Sequence, residues 1–346
     1  MNKKIKNNIF SEKPYFIAEI GVNHNGNMAL AKKMITSAKK SGADAVKFQT
    51  FKASSLVTPK TPKVKYQKST TNKKETHFEM IESLELSEKN HIILKNFCKK
   101  KKIDFLSTPY DVQSAKFLEK IGCKIFKTSS ADLVDLEMHQ YLAKKNKKVI
   151  ISTGMANNKE IENCLKIYKK YSNKNFVLLH CVSNYPCSLK SLNMSVIPLM
   201  KKKYKCQIGY SDHSSGSSAA VLSFVLGARV FEKHFTINKN LKGPDHKASA
   251  LPEEFREIVL KIKESQIILG KPVKLCQKEE LEMLKVSRKS LTINQFIKKG
   301  KIIKKEHLSL KRPGKGLYYQ DLKKIVGKRA RFNLKVNYQL KVSDVH

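Results

Sequence analysis

Along the first 270 residues, short β-branched or aromatic runs alternate with longer stretches of helical period. Eight strand candidates stand out: Tyr15–Val22, Ala45–Thr50, Asp104–Thr108, Ile125–Ser129, Val149–Thr153, Phe176–Val182, Cys206–Ser211 and Val230–Phe235. Helix candidates lie between them, over 28–40, 87–101, 113–120, 133–145, 159–171, 196–203 and 217–226. An eighth follows Pro252, a residue suited to a first helical turn, and runs to about 269. Asn157, with Glu160 three residues on, reads as a capping box. Eight βα units in series predict an α/β fold, a (β/α)8 TIM barrel, and the roughly 250 residues they occupy are its usual size.

Two stretches break the rhythm. Residues 51–86 carry Pro59, Pro62 and many lysines with little apolar periodicity, and read as a long loop leaving the barrel face where active sites form. After the barrel, assigned to 1–270, residues 271–287 read as a linker and 288–346 as a small β-rich domain. Short strands, the turn signals Lys299-Gly300 and Pro313-Gly314-Lys315-Gly316, and a small helix near 320–326 mark that domain.

Composition narrows the function classes. The 346 residues hold 69 Lys+Arg against 29 Asp+Glu, a formal charge of +40, while 40% are hydrophobic, enough for a buried core. Only six of the basic residues are Arg. A phosphate-backbone binder also uses Arg forks, so the charge reads as a solvated Lys-rich surface, without a nucleic-acid partner. Seven cysteines form no CxxC pair and suggest neither a disulfide framework nor a structural zinc site. The basic N-terminus lacks the apolar core of a signal peptide, and Ala219–Leu226 is too short to span a bilayer. The expectation is a cytoplasmic protein with no membrane partner.

Polar residues cluster at the C-terminal ends of the strand candidates. In order they are Glu19 and Asn23; Lys47 and Gln49; Ser107 and Thr108; Lys127, Ser130 and Asp132; Ser152 and Thr153; His180 and Ser183; Ser211, Asp212 and His213; Glu232 and His234. Any one is an ordinary polar strand terminus, but in a barrel these ends converge on one mouth. Lys47 and Lys127 with several hydroxyls supply cations and neutral donors without a matching number of carboxylates, and phosphate is the natural guest. His213 and His234 end adjacent strands about 5 Å apart, so their imidazoles can meet at one divalent ion completed by water and substrate.

Ala18-Glu19-Ile20-Gly21-Val22-Asn23-His24-Asn25-Gly26, Lys47-Phe48-Gln49-Thr50, Ser107-Thr108-Pro109, Ser152-Thr153-Gly154-Met155, Gly209-Tyr210-Ser211-Asp212-His213, Glu232-Lys233-His234-Phe235-Thr236, Gly243-Pro244-Asp245-His246 and Lys311-Arg312-Pro313-Gly314 closely resemble the sialic acid synthase family. The match runs in order over nearly the whole chain. The resemblance implies a barrel followed by a SAF domain similar to type III antifreeze protein. It implies condensation of phosphoenolpyruvate with an N-acylated mannosamine-type sugar and water, giving a nine-carbon 2-keto sugar acid and phosphate.

Carried over by motif, Lys47, Thr108, Lys127, Ser130, Ser152, Ser183 and Ser211 would hold phosphoenolpyruvate. His213 and His234 would hold the metal, Mn²⁺ or else Mg²⁺ or Co²⁺, which polarises the sugar aldehyde. Asp132 stands where the family has the carboxylate that serves the attacking water; here the motif is Ser129-Ser130-Ala131-Asp132, and Ser-Gly-Glu is commoner. Glu19, Gln49 and Asp245 would hydrogen-bond the sugar, with Glu19 also a candidate for proton transfer at the aldehyde. The resemblance places Arg312 in the partner's active site, in a domain-swapped homodimer. Residues 47–52 and 243–249 bring the chain closer to the sialic and legionaminic branch, where the sugar is N-acetylmannosamine or 2,4-diacetamido-2,4,6-trideoxymannose, than to the pseudaminic branch. Other readings are a pyruvate aldolase or another 2-keto acid synthase barrel, or a polyanion- or carbohydrate-binding protein.

Overall fold

The computed structural model describes residues 9–72 and 74–346. Eight parallel strands close a barrel in chain order: β1 (Tyr15–Gly21), β2 (Ala45–Thr50), β3 (Asp104–Pro109), β4 (Ile125–Thr128), β5 (Lys148–Ser152), β6 (Phe176–Cys181), β7 (Gln207–Asp212) and β8 (Val230–His234). The fold is thus the α/β barrel expected from the alternation. Helices alternate with the strands. The one over Asn158–Lys170 starts on the expected capping box, Glu160 N donating to Asn157 Oδ1 at 3.0 Å and Asn157 N to Glu160 Oε2 at 2.8 Å. The one over Pro252–Leu269 begins at Pro252. Among the described residues no helix is long and apolar enough to cross a membrane.

Strand residues alternate between two packing environments, because successive side chains leave opposite faces. Phe16, Ala18, Ile20, Val46, Phe48 and Ile151 join the helices in the larger core. Tyr15, Ile17, Ala45, Leu106, Ile150, Val177, Leu179 and Val230 form a separate cluster, the barrel interior, with Ile9 against it. Following that inner face two residues toward the strand C-termini leads from Ile17 to Glu19, Ala45 to Lys47, Leu106 to Thr108, Ile125 to Lys127, Ile150 to Ser152, Leu179 to Cys181, Gly209 to Ser211 and Val230 to Glu232. The interior is therefore apolar below and polar at the next layer up, and strand periodicity alone puts the polar layer at the mouth.

The excursion at 51–86 is not the unstructured loop its composition suggests. It holds three short helices, Ala53–Leu56, Lys65–Thr70 and His77–Ser83. The last is started by Thr76, whose Oγ1 accepts from Glu79 N at 3.1 Å while Glu79 Oε2 accepts from Thr76 N at 2.7 Å. Phe51, Met80 and Leu84 pack with Val22 in a small core of their own. Apolar positions so far apart leave no helical period to read.

The chain divides into two compact units, Met1–Gly270 and Lys271–His346. The second contains a helix over Leu281–Ser287, in the stretch expected as linker, and an antiparallel pair, β9 (Ser290–Ile293) and β10 (Leu308–Lys311). Its core gathers Leu291, Ile293, Ile297, Ile303, Ile325, Leu334 and Leu340. The small helix expected near 320–326 is a 3-10 segment, Tyr319–Lys324.

Candidate active site

A cavity of about 960 Å³ opens at the C-terminal ends of the barrel strands. Twelve of the fourteen residues singled out from the sequence line it: Glu19, Lys47, Gln49, Thr108, Lys127, Ser130, Ser152, Ser183, Ser211, His213, His234 and Asp245. Arg312 lies in the second unit, exposed, directly after β10. Asp132 is not among the lining residues, although Ser129, Ser130 and Ala131 are. It sits in a 3-10 turn, Ala131–Val134, where its Oδ2 accepts from Ser129 Oγ at 2.6 Å, and burial raises its pKa.

The floor is charged on both signs. Lys47 Nζ lies 2.7 Å from Glu19 Oε2, donates to Thr108 Oγ1 at 2.9 Å and stands 3.9 Å from Glu232 Oε2. Lys127 Nζ lies 3.6 Å from Glu232 Oε1, which also accepts from Ser211 Oγ at 3.2 Å. The lysines therefore do have matching carboxylates, contrary to the expectation from the sequence. Glu232 was visible there only as one more polar strand terminus, but it shares the inward parity of Val230 and so faces the lysines.

Burial pushes the Glu19 carboxyl up to about 7, against Lys47 and with help from Glu232. Burial acts the same way on Glu232, but Lys127, Lys47 and His213 outweigh it and leave its pKa lowered. For Lys47 burial is outweighed by Glu19 and Glu232 and the pKa is raised, whereas for Lys127 burial prevails and lowers it. Removing one member of such a buried set strands the others, at a cost of about 3–5 kcal/mol.

Glu19 owes its position to a bulge. The register with β2 shifts between Glu19 and Gly21, and Gly21 takes φ +53°, where an added Cβ would meet Glu19 Oε1 at 3.0 Å and Gln49 Nε2 at 3.1 Å. Gln49 Nε2 in turn donates to Glu19 Oε1 at 3.2 Å.

Hydroxyls crowd the opposite side around Gly154. Its N–H donates to Ser130 Oγ at 3.0 Å, and a Cβ there would come within 2.3 Å of Ser183 Oγ and 2.7 Å of Ser130 Oγ. The family motif's glycine is thus explained by close approach of side chains to backbone.

His213 and His234 face each other, with ring centroids 5.6 Å apart. His213 Nδ1 is 2.8 Å from Val182 O and 3.7 Å from Cys181 Sγ, contacts that raise its pKa against the effect of burial. If that nitrogen carries the proton, Nε2 keeps the lone pair. His234 is held neutral by burial and by His213, well below the usual imidazole range. Its Nδ1 is buried without a hydrogen-bond partner, 3.8 Å from Asp245 Oδ2. Two imidazoles, one with an orphan nitrogen, fit an open divalent-cation site. Among the described residues no group of three or more His, Cys, Asp or Glu forms a closed cage.

Sequence reasoning gave no site role to Tyr185, Cys181 or Asn23. The Tyr185 ring lies 4.0 Å from that of His213 and meets His234 edge-on at 5.4 Å. Asn23, fully buried, donates to Phe235 O at 3.0 Å and Ser249 Oγ at 2.8 Å, and Ser249 Oγ donates to Asp245 O at 2.7 Å. One amide thus holds both ends of the segment from His234 to Asp245. Its position at the end of β1 was the available signal.

Comparison with known proteins agrees with this geometry. The NeuB family model matches residues 34–274 and the SAF domain model residues 288–344. The chain is 42% identical to the N,N'-diacetyllegionaminic acid synthase of Campylobacter jejuni over 94% of its own length and 98% of that protein's. It is 41% identical to the N,N'-diacetyllegionaminic acid synthase of Legionella pneumophila, over 92% and 91% of the two chains. A crystal structure of the N-acetylneuraminic acid synthetase of Leptospira borgpetersenii in complex with citrate superposes with a TM-score of 0.69 at 34% identity, covering 79% of this chain and 90% of that one. With its family model spanning most of the barrel and relatives above 40% identity along nearly all of both chains, this protein belongs to the NeuB family and carries a C-terminal SAF domain.

Proposed function

We propose that the protein is a nonulosonic acid synthase: it condenses phosphoenolpyruvate with an N-acylated mannosamine-type sugar and water, releasing phosphate and a nine-carbon 2-keto sugar acid. The preferred sugar is 2,4-diacetamido-2,4,6-trideoxymannose, since the relatives above 40% identity are N,N'-diacetyllegionaminic acid synthases. The observation that carries the reading is one cavity holding two lysines, a ring of hydroxyls and two facing imidazoles.

Lys47, Lys127, Thr108, Ser130, Ser152, Ser183 and Ser211 bind the enol phosphate and its carboxylate by charge-assisted hydrogen bonds. As an anion enters, Lys47 and Lys127 exchange part of their pairing with Glu19 and Glu232 for the substrate. Glu19, with a pKa of about 7, can then hold or give a proton near the sugar aldehyde, steadied by Gln49. Gln49 and Asp245 orient the sugar. Held by His213 and His234, a divalent ion, Mn²⁺ by preference, would act as a Lewis acid on the sugar carbonyl. Asp132 serves the water, after its carboxylate exchanges Ser129 for the solvent side of Ser130. Arg312 acts from the partner subunit of a homodimer, on the sugar's acyl group.

One assay tests the reaction. With phosphoenolpyruvate, Mn²⁺ and each candidate sugar in turn, phosphate release and a product mass equal to the sum of sugar and pyruvate are expected. Turnover with free pyruvate would favour an aldolase, and turnover of the pseudaminic-branch sugar alone would move the chain to that branch.

A further inference from the structure

The excursion at 51–86 contains seven lysines and four glutamates, yet among the described residues it turns none of them into the cavity. What it contributes to the lining is Phe51, Leu56, Val57, Val64, Ile81 and Leu84, with three uncharged polar groups. Some of its charges pair with one another instead, Lys52 with Glu85 at 2.7 Å and the nearly buried Lys63 with Glu75 at 3.0 Å. Thr70 Oγ1 donates to Pro244 O at 3.2 Å, fastening the excursion to the loop that carries Asp245. A charge-rich segment that sorts its side chains this way presents a neutral, mainly apolar wall across from a floor of lysines and glutamates.

Among the described residues that wall offers no charged side chain to phosphoenolpyruvate, whose phosphate and carboxylate belong on the floor. We infer that it is the specificity surface for the distal half of the acceptor sugar, seating the C6 methyl of a 6-deoxy sugar and the methyl of an acylamino group. The inference rests on the synthase reading above. A methyl group against Phe51, Leu56, Val57 or Val64 is removed from water, whereas a C6 hydroxyl against the same side chains would give up its hydration for apolar contact. An apolar surface rejects an added hydroxyl by only about a hundredfold at most. The discrimination it gives is therefore graded.

The test uses the full-length protein with saturating phosphoenolpyruvate and Mn²⁺ and three acceptors: N-acetylmannosamine, its 6-deoxy analogue, which differs only at C6, and 2,4-diacetamido-2,4,6-trideoxymannose. Phosphate release should give a kcat/KM for the 6-deoxy analogue roughly tenfold to a hundredfold above that for N-acetylmannosamine. Val57→Thr and Val64→Thr, near-isosteric changes that add a hydroxyl to the wall, should each narrow that ratio by about threefold to tenfold, with the KM for phosphoenolpyruvate unchanged. Val57→Ala and Val64→Ala, which remove methyl contacts without adding a donor, should lower kcat/KM for both deoxy sugars more than for N-acetylmannosamine. Equal use of the two sugars that differ at C6, or variants that lower all three acceptors alike, would overturn the wall while leaving the synthase reading intact. Absence of phosphate release with every sugar would overturn both together.

Discussion

The mouth of the barrel is built in two halves that hold their groups by different means. On the side of β1, β2 and β8, long ionisable side chains fix one another: Glu19, Lys47 and Glu232 stand within 2.7–3.9 Å in a buried chain of alternating sign. On the side of β4 to β6, short hydroxyls are fixed by the backbone, which comes close because Gly154 has no Cβ. The first half is an electrostatic balance that an arriving anion can tip. The second is a steric mould, indifferent to pH but intolerant of one carbon atom.

Breaking the comparison at its junction has the largest expected effect. His213→Ala or His234→Ala should reduce Mn²⁺-dependent phosphate release to background while circular dichroism shows an intact barrel; retained turnover in both variants would remove the metal from their role. On the moulded side, Gly154→Ala places a Cβ 2.3 Å from Ser183 Oγ and 2.7 Å from Ser130 Oγ. Displacing those hydroxyls by even about 1 Å should raise the KM for phosphoenolpyruvate on the order of a hundredfold, read from initial rates of phosphate release. Asp132→Asn should slow kcat by roughly tenfold to a hundredfold with the KM for phosphoenolpyruvate little changed, and an unaltered kcat would give the water to another base.

The smallest effect sharpens the charged side. The carboxyl of Glu19 titrates at about 7 in the folded protein against an ordinary 4.5, so between those values the native state holds a proton that the unfolded chain has released. Its contribution to stability therefore falls as pH rises through that window. Glu19→Gln should flatten this part of the stability profile in urea titrations at pH 5 and pH 7.5, and Gly154→Ala should not.

Most of this site could be read from the sequence because period-two alternation is rigid. Once eight strands are recognised, Glu19, Lys47, Thr108, Lys127, Ser152 and Ser211 must share the inward face one layer above the apolar interior. What escaped depends on features with no period. Glu232 was seen, but its effect on the charge balance needed a distance to two lysines rather than a residue count. The direction taken by Asp132 is set by one 3-10 turn and its bond to Ser129. Val57 and Val64 of the wall flank helices of four and six residues, too short for an amphipathic pattern to show.

The bond between Thr70 and Pro244 joins positions 174 residues apart. Residues 51–86 are thereby a cassette latched to the loop that carries Asp245. Transplanted into a relative that offers a carbonyl where Pro244 stands, the cassette should carry its acceptor preference with it; moved without that latch, it should arrive as freight with no address.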